Sequence, residues 1–303
     1  MYLSIVINER GRKDFLPNFR RGLVMPELPE VENVRRTLNG LVVGKEIKEV
    51  HILHSKIVTG ECDEFINAIK GQKIVDIRRV GKYLIFILEN AAFISHLRME
   101  GKYRYLPSND GGEMRKEDIL LNKHDHLGFI FADGSRLYYN DVRKFGRLQL
   151  IQKEEYQGHP PFNQLGPEPW EANASELYHK IHKSNLPIKS ILLDQRVIAG
   201  IGNIYANEIC FEMGLNPHTQ GSKLSKRRIA ELIDVSKEIL EESIQGGGTT
   251  IHSFSNVGIS GDYQQKLKVH GKKSCLVCEG EIYKEKIKGR GTYYCKTCQK
   301  KKR

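Results

Sequence analysis

Four cysteines close to the C-terminal end carry the most specific chemical signal in the sequence. Two residues separate Cys275 from Cys278 and Cys295 from Cys298, and 16 residues lie between the pairs. Each pair can present two thiolates from one tight turn. Two such knuckles complete a tetrahedral four-sulfur site for one Zn2+, with no position left for water, so the metal is expected to be structural and not catalytic. Between the knuckles, Ile282-Tyr283 and Thr292-Tyr293-Tyr294 alternate around Gly289-Arg290-Gly291. This is the pattern of a β hairpin with Arg290 at its tip, and an arginine carried forward on a hairpin suits a nucleic-acid groove. Two weaker patterns lie elsewhere. His124 and His126 flank Asp125 but lack a third metal ligand nearby. Asn203 follows Gly200 and Gly202 at a helix start, where backbone and amide could meet a phosphate.

Charge is distributed so that a polyanion would be gripped from one end. The 303 residues carry a formal net charge of +11. Residues 266–303 hold 13 basic and 3 acidic side chains, residues 1–24 hold five and two, and the span between is slightly acidic. A hydrophobic content of 39% against 28% charged residues excludes intrinsic disorder and predicts two or three domains with real cores. No run of 18 apolar residues exists to span a membrane, and the start lacks the basic region of a signal peptide. A cytoplasmic, reducing location is expected, with Cys62 and Cys210 as unpaired buried thiols.

The elements that must position these groups fall into three blocks. Met25-Pro26-Glu27-Leu28-Pro29-Glu30 precedes Val31, Val34, Leu38 and Leu41, which predicts a helix opened by prolines and acids. From Lys45 to Leu106, and again from Phe129 to Leu150, short β-rich runs alternate with Gly-marked turns, as in an antiparallel β sandwich. Gly158, Pro160, Pro161, Gly166, Pro167 and Pro169 mark a linker. Beyond it, Ala174 to His182, Ile188 to Gln195, Ile204 to Met213 and Lys226 to Ile244 carry helical periodicity.

The run Pro26-Glu27-Leu28-Pro29-Glu30 resembles the mature N-terminus of the formamidopyrimidine-DNA glycosylase family, and the resemblance extends over residues 25–299. Further landmarks follow in order: Gly81-Lys82-Tyr83, His96-Leu97-Arg98-Met99, Lys123-His124-Asp125-His126, Asp141-Val142-Arg143-Lys144-Phe145-Gly146, Leu165-Gly166-Pro167-Glu168-Pro169, Gly200-Ile201-Gly202-Asn203-Ile204-Tyr205-Ala206, and the four-cysteine finger. The implied fold is α+β. It has an N-terminal catalytic β sandwich with flanking helices over 26–153, a linker over 154–173, a helix-two-turn-helix DNA-binding domain over 174–265 and a zinc finger over 266–303. The implied activity is a monomeric base-excision glycosylase and abasic-site lyase acting on double-stranded DNA that contains 8-oxoguanine or ring-opened purines.

Roles follow from the same resemblance. The amine of Pro26 attacks C1′ of the damaged nucleotide, displaces the base and leaves a cationic Schiff base, which acidifies the C2′ proton. Glu27 does acid and base work at the sugar, Lys82 moves a proton in β-elimination and Arg290 assists δ-elimination. Glu30 matches a position that orients the N-terminus. Met99, Arg143 and Phe145 fill the void left by the extruded base, His124, Lys189 and Asn203 face the DNA backbone, and Gly246 to Tyr263 matches a loop that closes over oxidised guanine. Ser184 stands where relatives carry a basic residue.

The chain departs from the family in its first 24 residues. Inside a chain the Pro26 nitrogen is a tertiary amide and cannot attack. The active protein is therefore expected to start at Pro26, through initiation at Met25 or processing, with residues 1–24 an extension outside it. Three other readings compete. The endonuclease VIII branch removes oxidised pyrimidines but usually carries Gly where this chain has Leu28. A catalytically inactive zinc-dependent DNA binder would result if Pro26 stays blocked. An RNA-binding zinc ribbon would account only for the last 38 residues.

Overall fold

The computed structural model describes residues 25–108, 122–154, 156–249 and 262–300, so the expected extension at 1–24 lies outside the described residues. Helix α1 (Leu28–Val42) begins where the prolines and acids place it. Pro29 falls in the first turn, where a missing N–H costs nothing, and Glu30 complements the helix dipole. Its stripe of Val31, Val34, Leu38 and Val42 is buried in the first core.

Nine strands follow, with helix α2 (Cys62–Ile69) after the second: β1 (Ile47–Ile52), β2 (Val58–Thr59), β3 (Ile74–Val80), β4 (Tyr83–Leu88), β5 (Ala92–His96), β6 (Lys102–Leu106), β7 (Asp125–Phe131), β8 (Arg136–Asn140) and β9 (Arg147–Ile151). They pair as two sheets, β1-β7-β8-β6 and β2-β9-β5-β4-β3. Only β2 on β9 is parallel. One core joins them: Phe93 of the second sheet stacks on Phe129 of the first with ring centroids 5.7 Å apart, as in a sandwich. The outer face of β4 and β5 is also buried, because Ile85, Ile87 and Ile94 pack under Tyr156 and Phe162. The proline-rich segment predicted as a linker thus doubles as a cover for the sheet.

The second half is helical: α3 (Ala174–His182), α4 (Ile188–Leu192), α5 (Asn203–Glu212), α6 (Lys226–Gln245) and α7 (Tyr263–Lys266) share one core. Helix α4 stops earlier than its periodicity predicts. Asp194 turns the chain by accepting the Arg196 N–H at 3.0 Å. A final hairpin pairs β10 (Ile282–Ile287) with β11 (Arg290–Cys295). Its two connecting residues, Lys288 and Gly289, have φ of 48° and 78°, the left-handed pair of a type I′ turn. The tip is therefore Lys288-Gly289, and Arg290 opens the return strand opposite Ile287. Cys210 is buried as expected, whereas Cys62 is only half-buried, and neither is bonded to another cysteine. Among the described residues no helix is long and apolar enough to cross a membrane.

Candidate active site

Pro26 and Glu27 are buried where the sandwich meets the helical domain. The Glu27 carboxylate lies against the start of α5, accepting from the N–H of Ile204 at 2.8 Å and of Tyr205 at 3.4 Å. A glycine is required opposite it, since a Cβ at Gly202 would stand 2.2 Å from the Glu27 carboxyl carbon. Leu28 locks the same junction by donating its N–H to the Gly200 carbonyl at 3.2 Å. The α5 N–H groups that could have met a phosphate are thus spent in part on Glu27. The Asn203 side-chain oxygen has no hydrogen-bond partner.

Lys82 projects from the β3–β4 turn into the same buried region and donates to the Ile201 carbonyl at 3.0 Å. Burial raises the Glu27 carboxyl to about 7, opposed first by the Lys82 ammonium. Burial likewise lowers Lys82 from the ordinary lysine range. Glu27 and Glu30 oppose that shift, and the Arg290 guanidinium adds to it. A carboxyl and an ammonium pushed toward each other in this way can exchange a proton with a substrate near neutral pH. The turn itself is braced by Arg79, which grips Glu168 through both Nη atoms at 2.6 and 2.9 Å and reaches Glu32 at 3.1 Å. Glu168 in turn accepts the Gly81 N–H at 2.7 Å.

The zinc finger delivers Arg290 to this region. All four sulfurs of Cys275, Cys278, Cys295 and Cys298 lie within 4.8 Å of one another. Contacts of 3.8 Å between Cys275 and Cys298 and 3.4 Å between Cys278 and Cys295 are far too long for disulfides and close to the ~3.8 Å edge of a tetrahedron with Zn–S near 2.3 Å. The four residues fit one structural zinc. Lys189 proves to be fully buried, and its ammonium donates to the Gly291 carbonyl at 2.7 Å and the Thr292 hydroxyl at 2.8 Å. Its expected place on a DNA-facing surface is not where its ammonium points. The lysine bolts the hairpin to α4, and burial lowers it to about 8.

A second cluster forms on loops at one edge of the sandwich. Arg143 approaches the Met99 sulfur at 3.2 Å and lies 4.7 Å over the Phe145 ring. Phe145 is 47% exposed, so it is no part of the core. Asp141 shapes this loop by accepting from the N–H of Arg143 at 2.9 Å and of Gly146 at 2.8 Å. Its own N–H goes to the carbonyl of the half-exposed His124 at 3.0 Å. The alternative of a metal at His124, Asp125 and His126 is not met. Asp125 is engaged by Arg104 and Asn140, His126 by the Asp141 carbonyl, and among the described residues only the four cysteines form a metal-ligating group.

Residues 25–148 match the model of the formamidopyrimidine-DNA glycosylase N-terminal domain, residues 165–255 that of the formamidopyrimidine-DNA glycosylase H2TH domain, and residues 272–301 that of the zinc finger found in FPG and IleRS. The chain belongs to the formamidopyrimidine-DNA glycosylase family. It is 41% identical over 282 residues to the formamidopyrimidine-DNA glycosylase of Bacillus cereus, covering 91% of this chain and 99% of that protein. It is 43% identical over 285 residues to that of Lactobacillus delbrueckii subsp. bulgaricus, covering 91% and 100%. Among solved structures it superimposes on a Lactococcus lactis FPG mutant in complex with Fapy-dG-containing DNA at TM-score 0.83 and 38% identity, over 91% of this chain and all of that one. A complex of Lactococcus lactis Fpg with abasic-site DNA gives TM-score 0.82 at 38% identity over the same shares.

Within this family fold, sequence reasoning missed the groups that brace the site. Arg79, Glu168, Tyr205 and Thr249 are buried or nearly so and touch residues far away in sequence. The Glu168 carboxylate had a signal in its Leu-Gly-Pro-Glu-Pro setting, but nothing local pointed to Arg79 as its partner. The expected loop over oxidised guanine falls largely on residues 250–261, outside the described residues.

Proposed function

We propose that the protein is a base-excision DNA glycosylase and abasic-site lyase that removes oxidised purines from double-stranded DNA, with Pro26 as nucleophile. The observation that carries this reading is the convergence of a buried Glu27 carboxylate, the Lys82 ammonium and the Arg290 guanidinium beside Pro26. The Pro26 amine adds to C1′ as the base leaves, giving an iminium at the sugar. Glu27 takes and returns protons at the sugar, and Lys82 assists removal of the C2′ proton as the 3′ phosphate departs. Arg290 assists loss of the second phosphate. Arg143, Phe145 and Met99 enter the gap that the extruded nucleotide leaves. His124 and Asn203 approach the backbone, and Lys189 acts on the DNA through the hairpin it anchors. Cys275, Cys278, Cys295 and Cys298 would hold one zinc, which with sulfur at all four positions would support the hairpin that carries Arg290 and supply no reaction step. Oxidised purines are favoured over pyrimidines because Leu28 occupies the position where the pyrimidine-excising branch usually has Gly. A cytoplasmic setting and monomeric action accord with this chemistry.

The test is chain-start dependence. A protein beginning at Pro26 is expected to form a borohydride-trapped adduct with abasic duplex, and the same protein retaining residues 1–24 is expected to form none. No adduct from the Pro26 form would leave only a zinc-dependent DNA binder. Paired duplexes with oxidised purine or pyrimidine lesions decide the substrate class.

A further inference from the structure

The Glu30 carboxylate accepts four hydrogen bonds. Oε2 accepts the Glu27 N–H at 2.9 Å. Oε1 accepts the Tyr205 hydroxyl at 2.6 Å, the Thr249 N–H at 2.9 Å and the Thr249 hydroxyl at 2.9 Å. Three of the four donors converge on Oε1 and one on Oε2, so the carboxylate is held chiefly through Oε1. Tyr205 is itself held at 2.6 Å by Ser243 of α6. Burial and the neighbouring Glu30 carboxylate push its phenol well above the ordinary tyrosine range, so it remains a donor. Glu30, Tyr205, Ser243 and Thr249 are all at most 3% exposed. Gly248 closes the cage: its φ is +87°, and a Cβ there would stand 3.0 Å from Glu30 Oε1.

The two glutamates therefore differ in kind. Glu27 accepts two backbone hydrogen bonds and keeps capacity for a substrate proton. Glu30 is held by four donors, and its Oε2 holds the peptide unit between Pro26 and Glu27. We propose that Thr249 is a positioning residue for the nucleophile: by clasping Glu30 from the helical domain, it fixes the Pro26-Glu27 unit and hence the direction of the Pro26 amine. The inference rests on Pro26 being the nucleophile. Thr249 contributes two of the four donors, and its hydroxyl is the one that substitution can remove without disturbing the backbone. An amine displaced by a fraction of an ångström loses its line of approach to C1′, which slows attack without weakening DNA binding.

The test compares proteins beginning at Pro26 and carrying Thr249→Val, Thr249→Ser or neither change. Single-turnover borohydride trapping on abasic duplex is measured beside the DNA dissociation constant and the melting curve. The valine variant is expected to trap at least about tenfold more slowly with an unchanged dissociation constant. The serine variant, which keeps the hydroxyl, is expected to stay within about twofold of the parent. Parental trapping by the valine variant, equal slowing in the serine variant, or a parallel loss of DNA binding overturns the proposal. If the valine variant loses its cooperative melting, Tyr205→Phe removes another donor to the same oxygen. Slower trapping with intact binding then supports the proposal, and parental trapping overturns it. A parent that traps nothing refutes the nucleophile assignment itself, an outcome separate from any difference among variants.

Discussion

Glu27 and Glu32 stand five residues apart and are displaced in opposite directions. Burial holds the Glu27 carboxyl up at about 7, so the folded protein binds a proton there that the unfolded chain releases near its ordinary 4.5. Its contribution to stability is present below about pH 4.5 and is lost as pH rises through about 7. Glu27→Gln is therefore expected to melt at least as high as the parent at pH 8 and to show a flatter decline between pH 5 and 8. Its excision rate should fall by about 10²–10⁴; calorimetry and a lesion-cleavage assay check both. Glu32 is surrounded by Arg35, Arg36 and Arg79. Although burial alone would raise it, these guanidinium groups bring it down to about 2. Its stabilisation is present above about pH 4.5 and is lost as pH falls through about 2. Glu32→Gln should cost about 3 kcal/mol at pH 7, and the gap from the parent should close in acid melts near pH 2.

Each functional element here is a loop or turn held by something outside itself. The hairpin of β10 and β11 is anchored by the cysteine cage and by Lys189, with His218 and Asn207 adding hydrogen bonds to Glu285 and Tyr293. Removing zinc with a chelator, or replacing Cys295 with Ser, should release Arg290 from the site. Loss of zinc by metal analysis should coincide with loss of δ-elimination products and a marked fall in DNA binding. The loop that carries Arg143 and Phe145 closes over the Tyr139 hydroxyl, and a Cβ at Gly146 would stand 1.6 Å from that oxygen. Gly146→Ala forces the loop and the Tyr139 ring apart. It is expected to lower lesion excision from duplex DNA more than trapping on an abasic site in single-stranded DNA, because only the duplex needs its gap filled.

On the scale of the whole molecule, Glu27 and Lys82 tie the sandwich to the helical domain, and Glu168 ties it to the segment between them. The Arg79 and Glu168 pair is nearly buried, at 11% and 13% side-chain exposure, so neutralising Glu168 leaves the Arg79 charge to Glu32 alone. Glu168→Gln should lower the melting temperature and slow β-elimination through Lys82, measured as strand scission on a preformed abasic site. DNA affinity should fall steeply with salt, because the basic C-terminal segment binds phosphates by releasing counterions.

What the sequence determined by itself is what short-range chemistry encodes. Cysteine spacing specified the zinc site, alternation and periodicity specified sandwich and helices, and the ordered landmarks specified the family. Even the expectation that Pro26 as nucleophile requires a free amine follows from the valence of an amide nitrogen. Tertiary structure alone decided the rest, since burial and partners separated by 80 to 220 residues leave no local trace. It turned Lys189 inward onto the hairpin, put Arg290 past the turn and not on it, and spent the start of α5 on Glu27. It also set the glutamates at the first helix apart, two donors on Glu27 and four on Glu30, because only the folded chain sets how many donors surround each carboxylate.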